Sequence, residues 1–378
     1  MFAFSETRAL STDPMPNKRR DSHNGSAVKF HPMQTSTPPI FSRTIDAMPA
    51  IDGRSLQCIA VIIPCYRVRE HILNVIGRVG PEVKTIYAVD DACPEQSGDF
   101  LKQQCTDPRV RIVFNQNNLG VGGAVMAGYR AAVQDGHDIL VKIDGDGQMP
   151  PELLPYFVEP ILTGRADYTK GNRFYDLNNI GQMPRVRLIG NALLSFLNKF
   201  SSGYWNIFDP TNGYTAIQAR VASHLPFDKI SARYFFESDM LFRLNTLQCR
   251  VIDIPMDAQY GNEKSSLKIR AILAEFLWKH TRNFSKRIFY NYFLRDMSLA
   301  SLELVFGAAL LIFGLVFGGY HWLEAAERSL PNTPGTVMLS ATTILMGMQL
   351  LLSFIGYDIQ SVPKDAVYGT LKARRPIA

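Results

Sequence analysis

Asp144, Asp146 and Gln148 stand at alternate positions in the stretch ILVKIDGDGQMPPELL, residues 139 to 154. Alternate positions of an extended chain point the same way, so three oxygen-bearing side chains can converge on one cation. Carboxylates packed this closely repel each other unless a metal ion or a proton relieves them, and hard oxygen ligands suit Mg2+ or Mn2+. A calcium loop fits poorly. Met149 takes the sixth place, where such a loop needs glycine, and no glutamate closes it. A solvated acidic turn without a ligand is the plain alternative.

The run before these acids, DILVKIDGD, reads as a strand, and so do IAVIIP, VKTIYAVDD, VRIVFN and ADYTKGNR. Each follows a helical stretch or a turn, so the pattern from Cys58 to about Gly171 predicts an α/β domain with a mostly parallel sheet. Open sheets of this kind bind ligands beyond the carboxyl ends of their strands, where the acids and glycines of this chain fall.

The 378 residues, 46% of them apolar, suffice for two ordinary domains. Residues 1 to 55 mix Pro, Ser, Thr and charge without apolar periodicity and read as a disordered tail. The five cysteines show no zinc-site spacing and no secretory signal precedes them, so reduced thiols in a cytosolic compartment are expected. A net charge of +6 is modest and nucleic acid is not an expected partner. Residues 264 to 295, however, hold eight Lys or Arg against the single acid Glu275.

Leu304 to Leu323 and Pro334 to Tyr357 carry no charged residue, and each is long enough to cross about 30 Å of hydrocarbon. Two transmembrane helices are expected, a buried helical hairpin in a soluble domain being the alternative. The connector holds Glu324, Glu327 and Arg328. The basic segment before 296 and Lys364, Lys372, Arg374 and Arg375 flank the other ends. The positive-inside rule then places the catalytic domain and the C-terminal tail, 361 to 378, in the cytoplasm. Between domain and spans, Ile269, Ile272, Leu273, Phe276 and Leu277 follow helical spacing. Lys279, Arg282, Lys286 and Arg287 form a basic face suited to the lipid headgroup layer.

Pro64-Cys65-Tyr66 ends the first strand, Asp90-Asp91 ends the second, and Asn118-Leu119-Gly120 leads into a helix opened by Gly122-Gly123-Ala124. With Asp144-Gly145-Asp146-Gly147-Gln148, this ordered set resembles the family 2 glycosyltransferases of the GT-A fold. Gly171-Asn172-Arg173-Phe174, Arg187-Leu188-Ile189-Gly190-Asn191, Asp209-Pro210-Thr211-Asn212-Gly213-Tyr214, Glu237 and Tyr260-Gly261-Asn262-Glu263-Lys264-Ser265 narrow it. These are similar to the polyprenyl-phosphate glycosyltransferases, relatives of dolichol-phosphate mannosyltransferase, and the resemblance runs from about 58 to 360.

The resemblance implies a GT-A domain over 56–267, amphipathic juxtamembrane helices over 268–298 and a membrane hairpin over 299–360. It implies transfer of a sugar from a UDP-, GDP- or dTDP-sugar to a polyprenyl phosphate such as undecaprenyl phosphate; a homo-oligomer formed through the spans is a separate expectation. Pro64, Tyr66, Asp90, Asp91 and Asp144 would bind the nucleotide sugar, and Asp144, Asp146 and Gln148 the metal. Arg173 and Arg187 would grip phosphates, with Arg185 able to replace Arg187. Asp209 would orient the sugar or an acceptor-site arginine. The family often reads Pro-Thr-Tyr-Asn-Glu where this chain has Arg67 and Val68 in the last two places, and Glu70, one turn later, would take the place of that glutamate in binding the nucleotide sugar. Cys93 replaces a common serine and is expected to be a small buried residue.

The chemistry agrees with this. A lipid phosphate is already an anionic nucleophile at neutral pH and needs positioning rather than deprotonation. The repulsion between two phosphate groups calls for a divalent cation and for the charges of Arg173, Arg187 and Lys264. Transfer to a glycan or another lipid, and a non-catalytic scaffold that binds nucleotide sugar, are the rival functions.

Overall fold

The computed structural model describes residues 58–175, 185–257 and 269–371, and of residues 185–187 and 269–273 the backbone alone. Lys264 with its flanking motif, the tail 1–55, and Lys372, Arg374 and Arg375 lie outside the described residues, as does the side chain of Arg187.

Seven strands form one sheet: β1 (Ile59–Cys65), β2 (Val83–Asp90), β3 (Val110–Phe114), β4 (Ile139–Lys142), β5 (Tyr168–Asn172), β6 (Thr215–Gln218) and β7 (Val251–Pro255), in the order β3-β2-β1-β4-β6-β5-β7. All neighbouring pairs are parallel except those of β6, which runs antiparallel to both β4 and β5. The mostly parallel α/β sheet is thus as expected, but β6 and β7 escaped the sequence pattern. They are short, and their inward residues include Thr215 and Asp253, so no apolar alternation marks them.

β1 is buried on both faces, which is why IAVIIPC reads as a continuous apolar run. One face of the sheet packs on α1 (Ile72–Gly77), α2 (Ser97–Gln104) and α4 (Leu154–Leu162). The other packs on α3 (Val121–Gln134), α6 (Ala219–His224) and α7 (Phe236–Thr246), with α5 (Arg185–Ser202) laid beside α7. Lys142, Thr215, Lys170 and Asp253 stand in register across β4, β6, β5 and β7, so their side chains share one face. This is a polar row in an otherwise apolar layer, directly beneath the carboxyl end of β4.

After α8 (Ile269–Phe289) a π-helical turn, Tyr290–Arg295, leads into α9 (Leu299–Arg328) and α10 (Pro334–Gln360). Their most apolar 18-residue stretches have mean hydropathies of 2.3 and 1.7, and only 22% and 11% of those stretches are buried, unlike helices at the core of a soluble domain. α9 outruns its uncharged stretch at both ends. Ser298 and Ser301 form a capping box, while Glu324 pairs with His321 and Arg328 over the last turns. The two helices approach closely at Gly307, Gly314 and Gly347, where any Cβ would press on the opposite helix. Beyond α10 the chain returns to the α/β domain. Val367 and Tyr368 donate backbone N–H groups to the buried carboxylate of Asp167, at 2.8 to 3.0 Å. The residues that begin the expected cytoplasmic tail therefore pack on the domain.

Arg287 corrects the expected basic face of α8. It is 1% exposed and turned inward, whereas Lys286 is exposed and Arg282 half-buried.

Candidate active site

Lys142 is the last residue of β4, so its side chain starts in the core and ends beneath the acid turn. It is fully buried, and its Nζ lies 2.8 Å from Asp144 Oδ1, 3.6 Å from Glu237 Oε1, and donates to the carbonyl of Gly213 at 3.0 Å. The contact with Asp144 is an ion pair rather than an aligned hydrogen bond. Burial opposes charge on Lys142, but the carboxylates of Asp144 and Glu237 outweigh it and hold the ammonium above the ordinary lysine range. Burial likewise raises Glu237, against the pull of Lys142 and Lys170. Lys170, whose Nζ donates to the carbonyl of Asn212, is lowered to about 8, chiefly by burial.

Asp146 Oδ1 accepts from the backbone N–H of Gln148 at 2.9 Å, and Gly147 takes φ +79°, which closes the turn. Asp144, Asp146 and Gln148 are all half-buried at its rim. Two carboxylates and an amide suit a magnesium-type ion, which takes one or two protein carboxylates and leaves its other positions to substrate phosphates. Among the described residues no cluster of three or more His, Cys, Asp or Glu could hold a metal unaided. The fit is to a site that the substrate completes.

Pro64 is half-buried, Tyr66 is 43% exposed, and Glu70 is exposed beyond β1. Arg67 adopts φ +58°, with its guanidinium 5.5 Å from the Tyr66 ring centre. Ala92 and Gln96 are also left-handed, so this edge of the site concentrates backbone strain. Asp90 accepts from the N–H groups of Cys93 (2.7 Å) and Gly98 (2.6 Å). Asp91 accepts from Asn115 Nδ2 (2.8 Å), Leu119 N (3.0 Å) and Gly120 N (2.7 Å). Both carboxylates are buried in these bonds and shape the loops around the site. Cys93 is buried, and its Sγ accepts from the N–H of Arg67.

Arg173 follows β5, and Asp209 opens the loop that precedes β6. Arg173 Nε donates to Asp209 Oδ2 at 2.8 Å and Nη2 donates to Oδ1 at 3.0 Å, a bidentate pair whose carboxylate side is buried. The same short loop ends at Gly213, where a Cβ would collide with Asp144 Oδ2 and Lys142 Nζ. Five residues therefore connect the arginine to the acid turn. Arg187 lies in the first turn of α5, beside Arg185.

Lys142, Lys170 and Asp253 were not singled out from the sequence. The available signal was a lysine inside an otherwise apolar strand, because a buried ammonium demands a carboxylate. Asp253 accepts from Asn172 Nδ2 (3.0 Å) and Phe208 N (3.2 Å), bracing the segments that carry Arg173 and Asp209.

A mixed, mostly parallel sheet with one antiparallel strand, and acids and glycines at its carboxyl ends, is an α/β fold of GT-A type. The family model described as Glycosyl transferase family 2 matches residues 60–225. An undecaprenyl-phosphate 4-deoxy-4-formamido-L-arabinose transferase of Pectobacterium carotovorum is 32% identical over 346 residues, covering 85% of this chain and 96% of that one. An undecaprenyl-phosphate mannosyltransferase of Micrococcus luteus is 31% identical over 215 residues, or 55% of this chain and 87% of its own. The chain belongs to glycosyl transferase family 2. A crystal structure of glucosyl-3-phosphoglycerate synthase from Mycobacterium tuberculosis overlays at a TM-score of 0.46 with 16% identity, covering 61% of this chain and 80% of that one.

Proposed function

We propose that this glycosyltransferase moves a sugar from a nucleotide-sugar donor to a polyprenyl phosphate at the cytoplasmic face of a membrane, with inversion at the anomeric carbon. The observation that carries it is the Arg173–Asp209 fork one short loop from the Asp144 turn. It presents an oriented guanidinium for one phosphate beside carboxylates suited to the cation of another. The two relatives, both named for transfer to undecaprenyl phosphate, support the acceptor class.

In this scheme Pro64, Tyr66 and Glu70 face the nucleoside, and Asp90 and Asp91 hold the loops that enclose it. Asp144, Asp146 and Gln148 hold Mg2+ or Mn2+, which supplies positive charge to the diphosphate leaving group. Arg173 and Arg187, with Lys264, receive the acceptor phosphate. An acceptor phosphate oxygen forms the bond to the anomeric carbon from the face opposite the diphosphate, and the bond to the nucleoside diphosphate breaks. No side chain has to remove a proton, because the nucleophile is already ionised. The domain of 56–267, the juxtamembrane segment of 268–298 and the hairpin of 299–360 would hold this site at headgroup height, basic ends toward the cytoplasm.

The test is sugar transfer to a short polyprenyl phosphate in detergent, with a panel of UDP-, GDP- and dTDP-sugars and Mn2+ or Mg2+, repeated with chelator. A chelator-sensitive lipid-linked sugar is the expected product. Donor binding without any lipid product would overturn the proposal.

A further inference from the structure

Asp358 lies in the last turn of α10, in the second candidate span, and is 4% exposed. It is held from three directions. Arg287 of α8 donates from Nη1 to Oδ1 (2.6 Å) and from Nη2 to Oδ2 (3.0 Å). Tyr292, in the π-helical turn, donates its hydroxyl to Oδ1 at 2.6 Å. Trp205, three residues past α5, donates Nε1–H to Oδ2 at 2.9 Å.

Arg287 also donates from Nε (3.2 Å) and Nη2 (2.8 Å) to the carbonyl of Phe200, in the last turn of α5. Terminal helix carbonyls lack partners within their own helix, and a guanidinium satisfies them. Gly203 ends the segment with φ +80°, and a Cβ there would stand 2.9 Å from Arg287 Nη1. One buried carboxylate of the membrane hairpin thus fastens the C-terminal end of α5 through an arginine and a tryptophan.

The other end of α5 carries Arg185 and Arg187. An eighteen-residue helix is a rod of about 27 Å, so fixing one end sets the position of the other. A buried ion pair is often no more stable than a well-packed apolar replacement, so what this one contributes lies in its geometry.

We propose that Asp358 is a positioning residue that registers α5 against the membrane hairpin and so sets the height of the acceptor arginines over the bilayer. This rests on the polyprenyl-phosphate function above.

The full chain is tested in liposomes containing long-chain polyprenyl phosphate and in detergent with a short, soluble acceptor phosphate, comparing wild type with Asp358→Asn and the milder Trp205→Phe. Asp358→Asn is expected to lower kcat/KM for the embedded acceptor about 10-fold, less than the roughly 100-fold that a 1 Å misplacement remote from the chemistry can cost. The value for the short acceptor and the KM for donor should stay within about twofold. Trp205→Phe should move the same way by less, and it carries the test should Asp358→Asn not fold. Equal losses with both acceptors, or no loss with either, would overturn the proposal.

A second readout is independent of turnover. Spin labels on non-canonical residues at positions 193 and 352, both exposed as Leu193 and Leu352 in the native chain, report the distance between α5 and α10. Asp358→Asn should broaden that distance distribution, and an unchanged distribution would sink the register. Broadening in a protein whose wild type makes no lipid-linked sugar would instead overturn the acceptor assignment and leave the register standing.

Discussion

Arg173 and Asp209 meet side on, Nε to Oδ2 at 2.8 Å and Nη2 to Oδ1 at 3.0 Å, so that the carboxylate fixes the plane of the guanidinium at the rim of the site. Asp209 is 1% exposed, so the pair is anchored on its buried acidic side, while the Arg173 side chain is half-buried at the rim. A lysine can neutralise Asp209 but cannot offer a planar fork to a phosphate at the same time. Arg173→Lys is therefore expected to lower kcat/KM for the lipid acceptor by about 100-fold, with the melting temperature changed little. Steady-state kinetics beside a thermal melt check this, and full activity in the lysine variant would remove Arg173 from the acceptor site.

Gly213 owes its identity to space rather than to backbone torsion. A methyl group at this position would collide with Asp144 Oδ2 and Lys142 Nζ, and would come within 3.0 Å of Met149 Cε. Gly213→Ala is predicted to push Asp144 off its ammonium and cost on the order of 2 kcal/mol by overpacking. Turnover should fall further than stability, because the displaced group belongs to the proposed cation site. A melt and an activity assay on one preparation separate the two effects. A variant that keeps wild-type activity would show that Asp144 is free to shift.

The strand ends were legible in the sequence because they combine two strong local signals, an apolar run and then an acid or glycine. β1, β2, β4 and the turn at Asp144 follow from that alone. The two long apolar helices, candidate spans, were legible because a segment of that length without charge stands out in any sequence. What stayed hidden depends on partners distant along the chain. Lys142 needs Glu237, which arrives from α7, and Arg287 needs Asp358, 71 residues away. In a single sequence Arg287 simply joins Lys286 in a basic stretch, and only packing turns one inward and leaves the other exposed. Asp90 and Asp91 show the opposite limit. Their position at the carboxyl end of β2 was legible, but not that backbone amides bond to their oxygens.

Lys142 is the only ammonium within 4 Å of both Asp144 and Glu237 among the described residues. Replacing it with methionine conserves length and leaves the carboxylates of Asp144 and Glu237 with only Lys170, which pulls on Glu237, to offset them. Lys142→Met is expected to destabilise the chain by about 3 kcal/mol, the usual cost of breaking one side of a buried pair. Adding Glu237→Gln should recover part of that loss, since it removes one of the stranded charges. Denaturant melts of the two single variants and the double variant form a cycle. Strictly additive losses would show that the two side chains do not share charge.

Asp253 should leave a signature in the acid limb of the stability profile. Burial is the main cause that raises its carboxyl from 3.8 to about 6, partly offset by the Phe208 N–H and Lys170. A group whose folded pKa is raised binds its proton more tightly in the folded chain. Its stabilising contribution is therefore complete below about pH 4 and is lost as pH rises through about 6. An asparagine has no proton to lose, and its oxygen, standing in for Oδ2, still accepts from both Asn172 Nδ2 and the Phe208 N–H. The stability of wild type relative to Asp253→Asn should accordingly fall between pH 4.5 and 6.5, by on the order of 2 kcal/mol, and level off above. Urea melts of both proteins across that interval measure the difference directly. A difference that grows with pH would mean that Lys170, the in-register neighbour, keeps the carboxylate ionised in the folded state, and that Asp253 braces Asn172 and Phe208 as an anion.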